Sequence, residues 1–73
     1  MTKAIYSKDH TYLVKRLKQA RLEAGLDQIK VAELLGRTQS YVSKLEAGQR
    51  RIDIVALKEF AQIYKKSIDY FLK

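Results

Sequence analysis

The sequence predicts an all-α fold, with residues 1–73 forming a single domain of five short helices. Apolar residues recur three and four positions apart along most of the chain, which is the period of an amphipathic helix. Asp27, Thr38 and Asp53, which favour helix starts, stand directly before such stretches. No stretch alternates between apolar and polar residues, so no strand is predicted.

The first helix is expected to begin at a cap formed by Ser7 or Asp9 and to end at about Ala24. Gly25 then ends the helix, and Leu26 folds back onto it as a hydrophobic contact. The predicted core stripe of this helix is Leu13, Leu17, Ala20 and Ala24.

Residues 28–48 predict two short helices joined by a tight turn. Gly36 can adopt the positive φ that often ends a helix, and Thr38 can cap the next helix through its hydroxyl. Ala32 is small where the two helices should cross. This layout is that of a helix-turn-helix, whose second helix enters the DNA major groove. The apolar sets of the two helices are Val31, Ala32 and Leu35, then Val42 and Leu45.

The second of these helices, at about residues 39–47, has two chemically different faces. At about 100° per residue, its apolar residues share one arc and its amide, hydroxyl and ammonium groups share the other. A solvated amphipathic helix is the alternative, but such a face is usually richer in Glu and Lys. The side chains expected to read bases are Gln39, Ser40, Ser43 and Lys44.

The segment resembles the helix-turn-helix of the Xre family, which includes phage lambda-type repressors and Cro proteins. The resemblance extends over residues 13–72 and implies a lambda-repressor-like DNA-binding domain. The matching residues of the helix-turn-helix are Gln28, Ala32, Gly36, Val42, Leu45, Glu46 and Gly48. Those outside it are Arg21, Gly25, Leu26, Leu57, Ala61 and Phe71.

The resemblance implies roles for several of these residues. It implies an ion pair between Arg21 and Glu46 that fixes the recognition helix, although the sequence alone leaves both as possible surface charges. It places base contacts at Gln39, Ser40 and Lys44, in agreement with the angular analysis, and the loop after the helix against the sugar-phosphate backbone.

Phosphate contacts are expected around the recognition helix. Gln28 begins a helix, where free N–H groups and the helix dipole favour an anion such as a DNA phosphate. The resemblance also implies a phosphate contact for Gln28. The alternative is a polar residue that only faces solvent. Arg37 replaces the family's usual apolar turn residue and adds a possible contact. The full expected set is Gln28, Arg37, Thr38, Tyr41, Gln49, Arg50 and Arg51.

Two further helices complete the prediction. Asp53 caps the fourth, and a short fifth helix covers residues 68–72. The family often has Pro near Ile52 and Gly after Tyr64, and this sequence has neither, which leaves the path of both connections open. The predicted core stripe of the fourth helix is Ile54, Leu57, Phe60, Ala61 and Tyr64.

The fifth helix carries three large apolar residues, Tyr70, Phe71 and Leu72. One or two of them are expected to close the core, and the rest to form a homodimer seam. The alternative is that all three pack internally.

Composition favours a polyanionic partner. Fifteen Lys and Arg against eight Asp and Glu give a net charge of +7, which fits double-stranded DNA, although charge alone also serves solubility. The lack of cysteine is compatible with a cytoplasmic location. No membrane-length apolar run or signal-peptide pattern occurs, and residues 1–6 are expected to form a flexible arm.

The favoured function is a sequence-specific transcriptional regulator, expected to be a repressor that binds a two-fold operator. An enzyme is not expected, because the chain has one histidine, no cysteine and no phosphate-binding glycine loop. No metal, cofactor, small-molecule substrate or inducer is expected. The alternative is an antitoxin-like or other protein-interaction module of Xre type. A membrane-surface helix is not expected, because no helix of this sequence has the bulky apolar face with aromatic anchors that such a helix needs.

Overall fold

The computed structural model describes residues 8–72, which form five α-helices and contain no strand. The all-α prediction is therefore confirmed for this part of the chain. The expected arm at residues 1–6 and the candidate cap Ser7 lie outside the described residues. The helices are α1 (Lys8–Glu23), α2 (Gln28–Leu35), α3 (Gln39–Glu46), α4 (Ile54–Tyr64) and α5 (Ile68–Leu72).

One apolar core joins the five helices. A domain of this size buries only about 60% of the surface of its unfolded chain, so each helix has to contribute large side chains. α2 packs chiefly on α3, α5 packs on α1, and α4 contacts α1, α2 and α5. The largest fully buried side chains are Phe60, Phe71, Leu17, Leu45, Val31 and Val42.

The buried faces of α1 and α4 differ in part from the predicted stripes. Ala24 is exposed, because α1 ends at Glu23 and Ala24 already belongs to the turn. The buried face of α1 is instead completed by Val14 and by Arg21, which is drawn inward to its ion pair.

Ile54, predicted as core, is also exposed. It is the first residue of α4, and Ile52 makes the hydrophobic contact with the core at this point of the chain. Ala56, which the predicted stripe omitted, is buried instead.

Three of the predicted caps are present. Each of these side chains accepts a hydrogen bond from the backbone N–H of the residue three positions later. The distances are 2.8 Å for Asp27, 3.1 Å for Thr38 and 2.8 Å for Asp53. Asp9 does not cap α1, because the helix already begins at Lys8 and Asp9 lies in its first turn. These caps fix where α2, α3 and α4 begin.

Helices α2 and α4 end in the same way with different residues. Gly36 follows α2 with φ 71°, and Lys65 follows α4 with φ 58°. At both ends the next backbone N–H donates to a carbonyl five residues earlier, from Arg37 and from Lys66. Lys65 therefore takes the left-handed position that a glycine usually occupies, which resolves the path of this connection.

Candidate nucleic-acid interface

The two faces of α3 are separated as the angular analysis predicts. Val42 and Leu45 are fully buried. The opposite face is open to solvent because the apolar face is fixed against α2 and α1. The exposed side chains of this face are Gln39, Ser40, Ser43 and Lys44.

A bidentate ion pair holds α3 against α1. Arg21 Nε donates to Glu46 Oε2 at 2.8 Å, and Arg21 Nη2 donates to Glu46 Oε1 at 3.1 Å. The side chains are only 10% and 5% exposed, so the pair predicted from the family resemblance is present and nearly buried. The hydrogen bonds that Arg21 donates to Glu46, together with the negative charge of Glu46, raise the pKa of Arg21 above its ordinary value.

Gln28 extends this ion pair to α2. Its Nε2 donates to Glu46 Oε1 at 3.1 Å, and Arg21 Nη1 donates to the carbonyl of Leu26 at 3.0 Å. Three helices are therefore joined at one carboxylate. From the sequence, Gln28 is expected to contact phosphate or to face solvent. Its contact with Glu46 is not predicted, because the two residues are 18 positions apart in the sequence.

The expected phosphate-binding side chains border α3 at both ends. Arg37 lies in the turn before α3, while Gln49, Arg50 and Arg51 lie in the loop after it, and all four are exposed. Such guanidinium and amide donors suit phosphate oxygens. Thr38 is exposed, and its hydroxyl oxygen already accepts the backbone N–H of Tyr41.

The expected dimer seam needs one correction. Phe71 is fully buried in the core, because α5 is pressed against α1, and it cannot belong to a surface seam. The ring of Tyr70 is half-buried, with the guanidinium of Arg16 3.6 Å and Lys66 Nζ 4.6 Å from its centroid. Leu72 is 59% exposed. Of the three residues expected in the seam, only Leu72 and the uncovered part of Tyr70 therefore lie at the surface.

Neither a metal centre nor a membrane span is present in the described part of the chain. Residues 8–72 hold no cluster of three His, Cys, Asp or Glu side chains that could bind a metal. Their helices are too short or too polar to cross a bilayer.

The comparisons with known proteins agree with this geometry. The helix-turn-helix family model matches residues 17–71. The HTH-type transcriptional regulator PrpR of Mycobacterium tuberculosis (strain ATCC 25618 / H37Rv) is 36% identical over 61 residues, which is 84% of this chain but only 13% of that protein.

A solved structure shows the same fold. The restriction-modification controller protein C.AhdI from Aeromonas hydrophila superposes with a TM-score of 0.79 at 30% identity, over 86% of this chain and 91% of that one. One of these similar proteins is a transcriptional regulator and the other is a controller protein. The chain belongs to the Xre-type helix-turn-helix family of DNA-binding transcriptional regulators.

Proposed function

We propose that this domain reads the sequence of double-stranded operator DNA through α3, and that it represses transcription in the cytoplasm by occupying a two-fold site as a homodimer. One observation carries the proposal. The exposed face of α3 presents four short or flexible polar side chains, while its other face is locked to the protein by the core and by the Arg21–Glu46 pair. The regulator PrpR and the controller C.AhdI, both similar to this chain, support the same class of function.

Gln39 is the best candidate for direct base reading. It is the first residue of α3, where recognition helices typically touch bases. Its amide donates and accepts at once, which matches N7 and N6 of adenine. Lys44, further along the same face, suits guanine O6 and N7 or a phosphate, and the short Ser40 and Ser43 are secondary candidates.

The loop after α3 is proposed to position the domain rather than to select sequence. Phosphates carry no sequence information directly, so the side chains of Gln49, Arg50 and Arg51 should add affinity for every DNA. The slope of log K against log salt is negative, and each lost guanidinium contact should reduce its magnitude by up to about 0.9. Gln28 and Thr38 are proposed as further phosphate contacts from the starts of α2 and α3.

The test begins with selection of bound sites from a random DNA pool. Gln39→Ala should then weaken binding to the best selected site by about 1–3 kcal/mol and change little on random DNA. Gln62→Ala is the matched control, since Gln62 is an exposed glutamine on α4, outside the proposed face. Both substitutions should leave stability nearly unchanged, because Ala is a good helix former.

Three results would contradict the proposal at different levels. Failure to enrich any sequence would contradict specific binding. A Gln39→Ala variant with the same affinity and base preference as the parent would exclude Gln39 from the reading face. Repression would be contradicted if a reporter promoter that overlaps the selected site kept its output when the protein is expressed.

A further inference from the structure

The ring of Tyr41 is shared by two guanidinium groups that come from opposite ends of α3. The Cζ atom of Arg37, in the turn before the helix, lies 4.7 Å from the ring centroid. The Cζ atom of Arg50, in the loop after the helix, lies 4.8 Å from the same centroid. Both distances are within the range of a cation–π contact, which is about 6 Å.

Tyr41 is well suited to hold both groups in place. Its ring is half-buried and packs against the core, and its backbone N–H is bound by the cap of α3 at Thr38. The ring is therefore a fixed part of the fold, whereas free Arg side chains have many rotamers. Contact with the ring already restricts the rotamers of each guanidinium, so less conformational entropy is lost when the group binds a ligand.

Within the described part of the chain, the two charges have no acidic partner. Among residues 8–72, neither Arg37 nor Arg50 forms an ion pair or a hydrogen bond with a carboxylate. Their Cζ atoms can be no further apart than the sum of the two ring distances. Two like charges within that limit repel each other, and an anion that contacts both guanidinium groups would reduce the repulsion.

We infer that Arg37 and Arg50, positioned by the ring of Tyr41, bind one and the same phosphodiester group of the DNA backbone. This inference rests on the proposed function and deepens it, because it joins residues from both ends of the recognition helix into a single site. A phosphate bound by one guanidinium from each end of α3 would fix the depth and tilt of this helix in the DNA groove. Tyr41 acts as a positioning residue and need not touch the DNA itself.

The chain offers a matched control for this site. Arg51 is exposed like Arg50 and follows it directly in the loop, but within the described residues it does not lie over an aromatic ring. Arg51→Ala therefore removes the same charge from the same loop without touching the shared site.

The first experiment is a double-mutant cycle on selected DNA, measured by equilibrium binding at several salt concentrations. Arg37→Ala and Arg50→Ala should each weaken binding on the order of tenfold on any DNA sequence. Combined, they should lose clearly less than the product of the two single losses, because they share one phosphate. Arg37→Ala combined with Arg51→Ala should lose the full product.

The second experiment replaces single phosphates of the selected site, one at a time, by uncharged methylphosphonates. One position should exist at which Arg37→Ala and Arg50→Ala no longer reduce affinity, while Arg51→Ala still does. Tyr41→Leu should weaken binding about two- to fivefold and abolish the coupling between Arg37 and Arg50, whereas Tyr41→Phe, which keeps the ring, should retain it. Thermal unfolding checks that both Tyr41 variants are folded.

Independent effects of Arg37→Ala and Arg50→Ala, or methylphosphonate positions that differ for the two, would overturn the shared site while leaving the proposed function intact. These Arg variants remain informative if Tyr41→Leu fails to fold, because both side chains are exposed. Absence of binding to any selected DNA would overturn both the shared site and the proposed function.

Discussion

The carboxylate of Glu46 is the point at which α1, α2 and α3 are joined. It accepts two hydrogen bonds from Arg21 and one from Gln28. A carboxylate this little exposed is stable only when it is paired, because its desolvation is otherwise uncompensated. The position of α3 therefore depends on charges that lie almost entirely inside the fold.

Removal of either partner should be costly. Arg21→Ala and Glu46→Ala should each lower the free energy of unfolding by about 3–5 kcal/mol, because each leaves a buried charge unpaired. The double variant should lose clearly less than the sum, which denaturant unfolding can measure. Additive losses would mean that the two side chains do not stabilise the fold as a pair.

A surface pair provides the control for this cycle. Lys30 and Glu33 are 3.6 Å apart, with side chains 57% and 66% exposed. Exposed pairs contribute only about 0–1 kcal/mol, so Lys30→Ala should change stability little.

At the scale of single residues, sequence analysis succeeded where the family resemblance applied and failed where contacts join distant parts of the chain. The Arg21–Glu46 pair was expected because both positions match the family. The contact of Tyr41 with both Arg37 and Arg50 was not expected, because periodicity describes one helix at a time. Only the folded chain brings the turn before α3 and the loop after it to the same ring.

At the scale of the elements, the end of α4 shows how the backbone accommodates a residue that is not glycine. Lys65 has φ 58° and is the only non-glycine residue with positive φ among residues 8–72. A left-handed conformation costs an ordinary residue roughly 1–2 kcal/mol, a cost that glycine avoids. The domain thus carries a small local strain at the junction of α4 and α5.

Lys65→Gly should therefore stabilise the domain, by about 0.5–1 kcal/mol once the larger entropy of glycine in the unfolded chain is subtracted. Gly36→Ala should have the opposite effect, a loss of about 1 kcal/mol. A Cβ at Gly36 would meet no atom within 4 Å, so its cost comes from φ alone. Thermal unfolding of both variants tests this, and a Lys65→Gly variant less stable than the parent would contradict it.

Glu23, the last residue of α1, contacts both the turn before α5 and α5 itself. Glu23 accepts hydrogen bonds from Lys66 Nζ at 2.8 Å, from Gln19 Nε2 at 3.1 Å and from the Tyr70 hydroxyl at 3.3 Å. The hydrogen bond from Lys66, followed by that from Gln19, lowers the pKa of Glu23 below its ordinary 4.5. The same contact raises the pKa of Lys66.

The lowered pKa of Glu23 gives a pH dependence of defined sign. A carboxyl group whose pKa is lower in the folded state stabilises the fold above its ordinary pKa, and this contribution is lost as the pH falls through the folded-state pKa. Between about pH 5 and pH 3 the parent should therefore lose more stability than Glu23→Gln does. The control is Glu59→Gln, which removes an exposed carboxyl from α4 and should lose as much stability with falling pH as the parent. If Glu23→Gln also loses as much stability as the parent, the proposed role of Glu23 is contradicted.

The number, order and approximate ends of the helices within residues 8–72 could be predicted because caps and turns are local features. The buried faces were predicted less well, since they depend on neighbouring helices. Ala24 and Ile54 lie at helix ends, where the period continues but no helix covers the side chain, and both are exposed. Val14 lies seven residues, about two turns, before Arg21 on the same face of α1, and both are buried there.

At the scale of the whole molecule, affinity and specificity have separate sources. The net charge of +7 over 73 residues favours any DNA and should make binding steeply dependent on salt. A single α3 presents only four candidate reading side chains, which is little information for choosing one site. Two copies on a two-fold site would double the bases read, which is the physical reason for proposing a homodimer.

The two copies of the proposed homodimer should meet through α5. The proposed seam is formed by Leu72, 59% exposed, with the uncovered part of Tyr70. Leu72→Asp should place a charge in this seam, abolish the dimer in sedimentation experiments and weaken binding to a full two-fold site more than binding to a half-site. Val55→Asp is the control, because Val55 is similarly exposed, at 64%, at the start of α4.

The DNA provides an independent measurement of the same assembly. Two recognition helices related by a two-fold axis should select half-sites in inverted orientation, with centres about 10–10.5 base pairs apart or a multiple of that spacing. Selected sites without inverted symmetry would contradict the homodimer itself. If the sites are symmetric but Val55→Asp breaks the dimer and Leu72→Asp does not, the copies meet through α4 rather than α5, because only the surface buried between them is sensitive to a new charge.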